Sequence, residues 1–175
     1  MWSHLKKAAY RIFFFLELQK LKYFLKSEYI NQLIICDIDN TIFIRNSDKP
    51  NSYSYDFRVL MNVVKFVNIY SSGPDSLLLF LSARQIKHLK RTEKSLSRFF
   101  PNEYSLIFTR SAEEKLIYLK TLSNYTKRII YIDDLSYKAV NQKKTSYYES
   151  VIKEVNKIDN LTYINHKTIL EIENS

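Results

Sequence analysis

Two carboxylates two positions apart close an apolar run in this chain, Leu33-Ile34-Ile35-Cys36-Asp37-Ile38-Asp39-Asn40-Thr41. An Asp, a second Asp and a hydroxyl delivered to one place can supply a nucleophile, a general acid/base and a metal site. Other apolar runs stop at polar groups too: Leu77–Leu81 at Ser82-Ala83-Arg84, and Ile129–Ile132 at Asp133-Asp134. Lys115 follows the capping box Ser111-Ala112-Glu113-Glu114, so it belongs to the first turn of a helix. Brought together, carboxylates, a hydroxyl and an ammonium suit the binding of Mg²⁺ and a phosphoryl group. Each residue also has a local reading. Asp39-Asn40-Thr41 fits an Asx-type turn, Ser82 a helix cap, and Arg84 either a substrate phosphate or solvent. Lys87 and Lys120 compete with Lys115, and Cys36 fits simple core packing.

Such residues meet only if the elements carrying them are parallel. Apolar runs bounded by polar residues read as buried strands, here Leu33–Asp37, Leu77–Leu81, Leu106–Phe108, Ile129–Ile132 and a short one near Leu161–Ile164. Between them lie helical patterns: a stripe from Phe57 to Tyr70, a strongly basic segment from Gln85 to Phe99, the capped helix to about Leu122, and roughly Tyr147–Ile158, with a final helical turn after the last strand. Ile42 to Tyr55, with Asp48-Lys49-Pro50-Asn51-Ser52, reads as a polar, turn-rich loop. Alternation of strand and helix predicts an α/β fold, a doubly wound parallel sheet of about five strands, preceded by an N-terminal amphipathic helix. The carboxyl edge of such a sheet is where ligands bind.

The set resembles the haloacid dehalogenase (HAD) superfamily of phosphatases and phosphotransferases over roughly Leu33 to Val140. Asp37-x-Asp39-x-Thr41 is similar to its first motif, Ser82 to the second, Lys115 to the third and Asp133-Asp134 to the fourth. The resemblance implies a HAD-like Rossmannoid core, with Asp37 attacking phosphorus to form an aspartyl-phosphate. It implies Asp39 as general acid and then base, Ser82 as donor to a phosphoryl oxygen, and Lys115 as charge neutraliser; Thr41 and Arg84 are candidates for the substrate side on their own positions. It implies Mg²⁺ held by Asp37, Asp39 (through its backbone carbonyl) and the fourth motif, Asp133 first with Asp134 supporting or substituting. Two departures stand out. Ile132 occupies a position often held by Gly, and Ser136, Tyr137 and Lys138 replace a later acid. The gaps from Thr41 to Leu77 and from Ser82 to Lys115 do not fit a substantial cap domain, so the resemblance implies a capless, open site for bulky or surface-presented phosphorylated substrates.

The chain has 175 residues, one cysteine, one glycine and a formal charge of +9. That length suits one catalytic domain, residues 31–175, after a basic amphipathic segment, residues 1–30. A lone cysteine makes no internal disulfide and fits a reducing, cytoplasmic setting. The charge suits nucleic acid, anionic membrane or a phosphorylated substrate, although an A+T-rich codon bias raises Lys whatever the function. In residues 2–26, Trp2, Leu5, Ala9, Ile12, Leu16, Leu18, Leu21 and Leu25 recur at helical steps among basic residues. The stretch is too short in its apolar part to span a bilayer and has no secretory cleavage site. It suits peripheral contact with the inner face of a membrane, or packing on its own domain or a second subunit. No nucleic-acid-binding motif is recognised. The expected activity is Mg²⁺-dependent phosphomonoester hydrolysis; the alternative is a catalytically weak binding or regulatory module on the same fold.

Overall fold

The computed structural model describes residues 2–26, 30–45, 57–137 and 146–175, and the side chains of residues 2–10, 45 and 137 lie outside that description. The turn at Asp48–Ser52, Lys138 and the side chains of Trp2, Leu5 and Ala9 therefore lie outside the described residues.

Five strands form a parallel sheet: β1 (Gln32–Cys36), β4 (Ser76–Ser82), β5 (Ser105–Phe108), β6 (Arg128–Ile132) and β9 (Leu161–Ile164), in the spatial order β5-β4-β1-β6-β9. β1 is central, which explains its unbroken apolar run: Leu33 to Cys36 have no exposed surface. Its register places Cys36 beside Phe80 of β4 and Ile132 of β6, so the residues just beyond these strands emerge at one edge. The right-handed rule for crossovers assigns α2 (Met61–Ser71) and α3 (Leu89–Leu96) to one face, α4 (Ala112–Ser123) and α5 (Glu149–Val155) to the other. Packing follows that division, α4 against α5 and α2 against the C-terminal α6 (His166–Glu173). Glu173 Oε2 accepts from the backbone N–H groups of Asn62 and Val63, at 2.9 and 3.4 Å, and so caps α2, whose own first turn has no acid. α1 (Trp2–Lys26) packs on the sheet edge beside β5, through Phe14, Leu21 and Leu25. Among the described residues, no helix is long and apolar enough to cross a membrane.

Several elements differ from the sequence reading. The helix expected from Phe57 begins at Met61; Phe57–Val59 is β3, antiparallel to β2 (Phe43–Arg45). The Ile42–Tyr55 segment, read as a loop, thus opens with a strand, and its partner lies beyond residues 46–56. Pairing at that separation leaves no local signal. The basic helix is a 3₁₀ turn (Ile86–His88) followed by α3, and it stops at Leu96. There the N–H groups of Phe99 and Phe100 turn back onto the Leu96 carbonyl, both at 2.9 Å, and Phe100 packs edge-on to Phe80 at 4.8 Å. Burying an aromatic ring outweighs another helical turn. A small hairpin, β7 (Ser136–Tyr137) with β8 (Ser146–Tyr147), takes Tyr147 from the expected helix, which starts at Glu149.

Candidate functional site at the carboxyl edge of the sheet

The end of β1 is built as a tight turn. Asp37 N–H donates to the Ile132 carbonyl at 2.8 Å, carrying the ladder one residue beyond the strand. The Ile38 carbonyl then accepts from Ile42 and Phe43, at 3.1 and 2.9 Å, and Asn40 sits at φ 58°. Asn tolerates that left-handed conformation better than most side chains. Thr41 is fully buried, and its Oγ1 accepts from Asp134 N–H at 3.3 Å, tying the ends of β1 and β6 together.

Lys115 is the hub. The Ser111 hydroxyl accepts from Glu114 N–H at 3.3 Å and starts α4 where its sequence signature placed it. From that first turn the buried Lys115 Nζ reaches Asp133 Oδ2 at 2.7 Å and Asp37 Oδ1 at 2.9 Å. The second contact is an ion pair rather than a well-directed hydrogen bond. Burial pulls the Lys115 ammonium toward neutrality, but the carboxylates of Asp133 and Asp37 outweigh it and hold the pKa above its ordinary value. The competing lysines are elsewhere: Lys120 pairs with Glu154 at 2.8 Å, and Lys87 lies exposed in the 3₁₀ turn.

Asp37, Asp133 and Asp134 are buried, with one carboxylate oxygen of each within 4.8 Å of the others. Three carboxylates against one ammonium leave excess negative charge out of water. Burial, aided by the charges of Asp133 and Asp39 and opposed by Lys115, pushes the Asp37 pKa from 3.8 to about 7. Burial also pushes Asp134 up to about 6, against a hydrogen bond from Ser136. The donor set therefore fits a hard divalent cation, which would relieve that excess.

The two adjacent aspartates at the end of β6 are not equivalent. Asp133 Oδ2 serves Lys115 and also accepts from the Tyr131 hydroxyl, and its Oδ1 accepts from Leu135 N–H at 2.8 Å. Asp134 accepts from the Ser136 hydroxyl on Oδ2. Ser136 thus supports Asp134. Tyr131 and Ser136 escaped the sequence reading as site residues; the only signal for Tyr131 was a hydroxyl inside an otherwise apolar strand.

Asp39 stands apart. Its carboxylate, with its side chain 49% exposed, is gripped by Arg84 in two hydrogen bonds of 2.7 Å, from Nε and from one terminal nitrogen. The other terminal nitrogen donates to Thr92 Oγ1 at 3.1 Å, and the guanidinium carbon lies 5.8 and 5.6 Å from the ring centres of Phe43 and Phe57. The unforeseen β2–β3 hairpin is therefore what seats Arg84. Asp39's carboxylate is not part of the acidic trio.

Ser82 ends β4 fully buried, and its Oγ has no hydrogen-bond partner among the described residues. Leaving such a group unpaired costs about 1–3 kcal/mol. Cys36 is buried, its thiol donates to the Asp37 carbonyl at 3.1 Å, and burial raises its pKa, so it packs the core as a neutral thiol. Beside Asp134 a cavity of about 340 Å³ opens among Tyr147, Glu149, Tyr163, Asn165 and His166. Comparison with protein-family models, curated proteins and solved structures finds no match for this chain in any of the three.

Proposed function

We propose that this chain is a Mg²⁺-dependent phosphomonoester hydrolase of the HAD type, on a HAD-like core preceded by an N-terminal amphipathic helix. The observation that carries the reading is Lys115 bridging Asp37 and Asp133 at the carboxyl edge of the central strand, beside Asp134. In the reaction, an Asp37 carboxylate oxygen attacks phosphorus, and the P–O bond to the leaving group breaks as the Asp37–phosphate bond forms. Asp39 gives its proton to the leaving oxygen. Asp39 then takes a proton from water, whose oxygen attacks phosphorus and releases Asp37 and inorganic phosphate. Lys115 holds Asp37 in line and offsets the charge gathered there, while Ser82 Oγ donates to a phosphoryl oxygen. Asp37, Asp133 and Asp134, with the Asp39 carbonyl, would hold Mg²⁺, and Asp133 also secures Lys115. Bound there, the ion supplies positive charge to the phosphoryl oxygens.

Arg84 fixes where the Asp39 carboxylate lies. The cavity beside Asp134 leaves room for a bulky leaving group. A cytoplasmic setting accords with the single buried thiol. The test is phosphate release from an aryl phosphate, with Mg²⁺ and with EDTA, by the parent and by Asp37→Asn. Metal-dependent release that the variant loses is expected; release that Asp37→Asn retains in full refutes the nucleophile. The two-pronged Arg84–Asp39 bridge favours a second reading, a catalytically weak binding or regulatory module, because it occupies the acid/base. Absence of Mg²⁺-dependent turnover across a broad phosphoester panel selects that second reading.

A further inference from the structure

Phe14, Leu21 and Leu25 bury one side of α1 against the core. The other side is also apolar. Ile12, Leu16 and Tyr23, 61%, 58% and 76% exposed, fall within about 40° of one another around the helix, and Phe13 and Phe24 flank them. A strip of large apolar side chains along a helix is normally covered. In this chain Ile12, Leu16 and Tyr23 stay exposed among the described residues.

The charge around that face selects the cover. Arg11 and Lys26 are exposed, and Lys22 and Lys26 lie over the Tyr125 ring at 5.4 and 5.5 Å, so a basic flank runs beside the apolar strip. Glu17 is the only acid in residues 2–26. A second copy of the same helix would bring like charge against like charge. Nucleic acid would meet the basic flank but would not bury an aliphatic centre formed by Ile12 and Leu16. An apolar strip with aromatic margins and a cationic flank matches the boundary of an anionic bilayer. The helix carries too many charges to cross it.

We propose that the outer face of α1 docks this protein on anionic lipid, with Ile12 and Leu16 entering the acyl boundary and Lys22 and Lys26 against the headgroups. The inference does not depend on the hydrolase reading, because its readout is binding alone. Full-length protein is floated with vesicles of phosphatidylcholine alone and of phosphatidylcholine mixed with phosphatidylglycerol, and its mass is measured by sedimentation equilibrium. Flotation with the anionic vesicles only, weakened by added salt, is the expected result. The double variant Ile12→Ser/Leu16→Ser, which leaves the core contacts in place, loses roughly 100-fold in partitioning, and Lys26→Gln roughly five-fold. Equal flotation with both vesicle types, or none with either, overturns the proposal. A dimer that the double variant dissociates, without vesicle binding, assigns the face to a second copy instead.

Discussion

Removing the cation from the site should make the protein less stable as pH rises through neutrality, against the trend of an ordinary paired carboxylate. Asp37 is the group that decides this. Burial lifts its pKa from 3.8 to about 7, so the folded state holds that proton more tightly than the unfolded chain does. A raised carboxyl pKa contributes stability that is complete below its ordinary value and disappears as pH climbs through the folded-state value. The rise from 3.8 to about 7 is worth roughly 4 kcal/mol across that interval. Asp134, raised to about 6 for the same reason, acts in the same direction. A divalent cation binds only the ionised forms, so it competes with protons and its effect grows with pH. At about 100 times its dissociation constant it returns roughly 2.7 kcal/mol, or about 5–10 °C in Tm for a domain of this size. Thermal unfolding by circular dichroism, between about pH 5 and 8 in EDTA and in Mg²⁺, reads the Mg²⁺ shift and the part of the Asp37 fall above pH 5, about 2.5 kcal/mol. Asp37→Asn should flatten the EDTA curve and shrink the Mg²⁺ shift. Stability in EDTA that stays level or rises over that window, with a Mg²⁺ shift independent of pH, would refute the electrostatic account of the acidic trio.

Three further outcomes rest on the contacts of Lys115 and Arg84. Lys115→Met strands two buried carboxylates, so it should cost about 3–5 kcal/mol in urea unfolding and abolish phosphate release. Lys115→Arg should restore stability in part and activity little, because a planar fork cannot replace a compact ammonium between two oxygens. Arg84→Gln removes the grip on Asp39 and should lower kcat through the proton delivered to the leaving group. Its effect should therefore be slight on an aryl phosphate, whose leaving group needs little protonation, and approach about 100-fold on an alkyl phosphate. Equal losses on the two substrates would show that Arg84 does not position the acid.

The strands and the polar residues at their ends were legible because a strand buried on both faces must be apolar throughout and must stop where it meets the edge. Leu33–Cys36 followed by Asp37, and Ile129–Ile132 followed by Asp133, needed no more than that. The start of α4 was legible for a similar reason: Ser111 caps a helix by contacts within four residues of itself. The β2–β3 hairpin was not, because Phe43 pairs with Val59 across a separation that leaves no local pattern, and so the seat of Arg84 was hidden as well. Nor could the sequence divide the work of two adjacent aspartates. Asp133 and Asp134 are chemically identical, and only folding shows that one holds Lys115 and Tyr131 while the other takes Ser136. The sequence by itself determined which chemical groups reach the carboxyl edge of the sheet, since burial and strand ends are local properties of the chain. The tertiary structure decided which of those groups touch, because hydrogen bonds and ion pairs act over about 3 Å and join residues far apart in sequence.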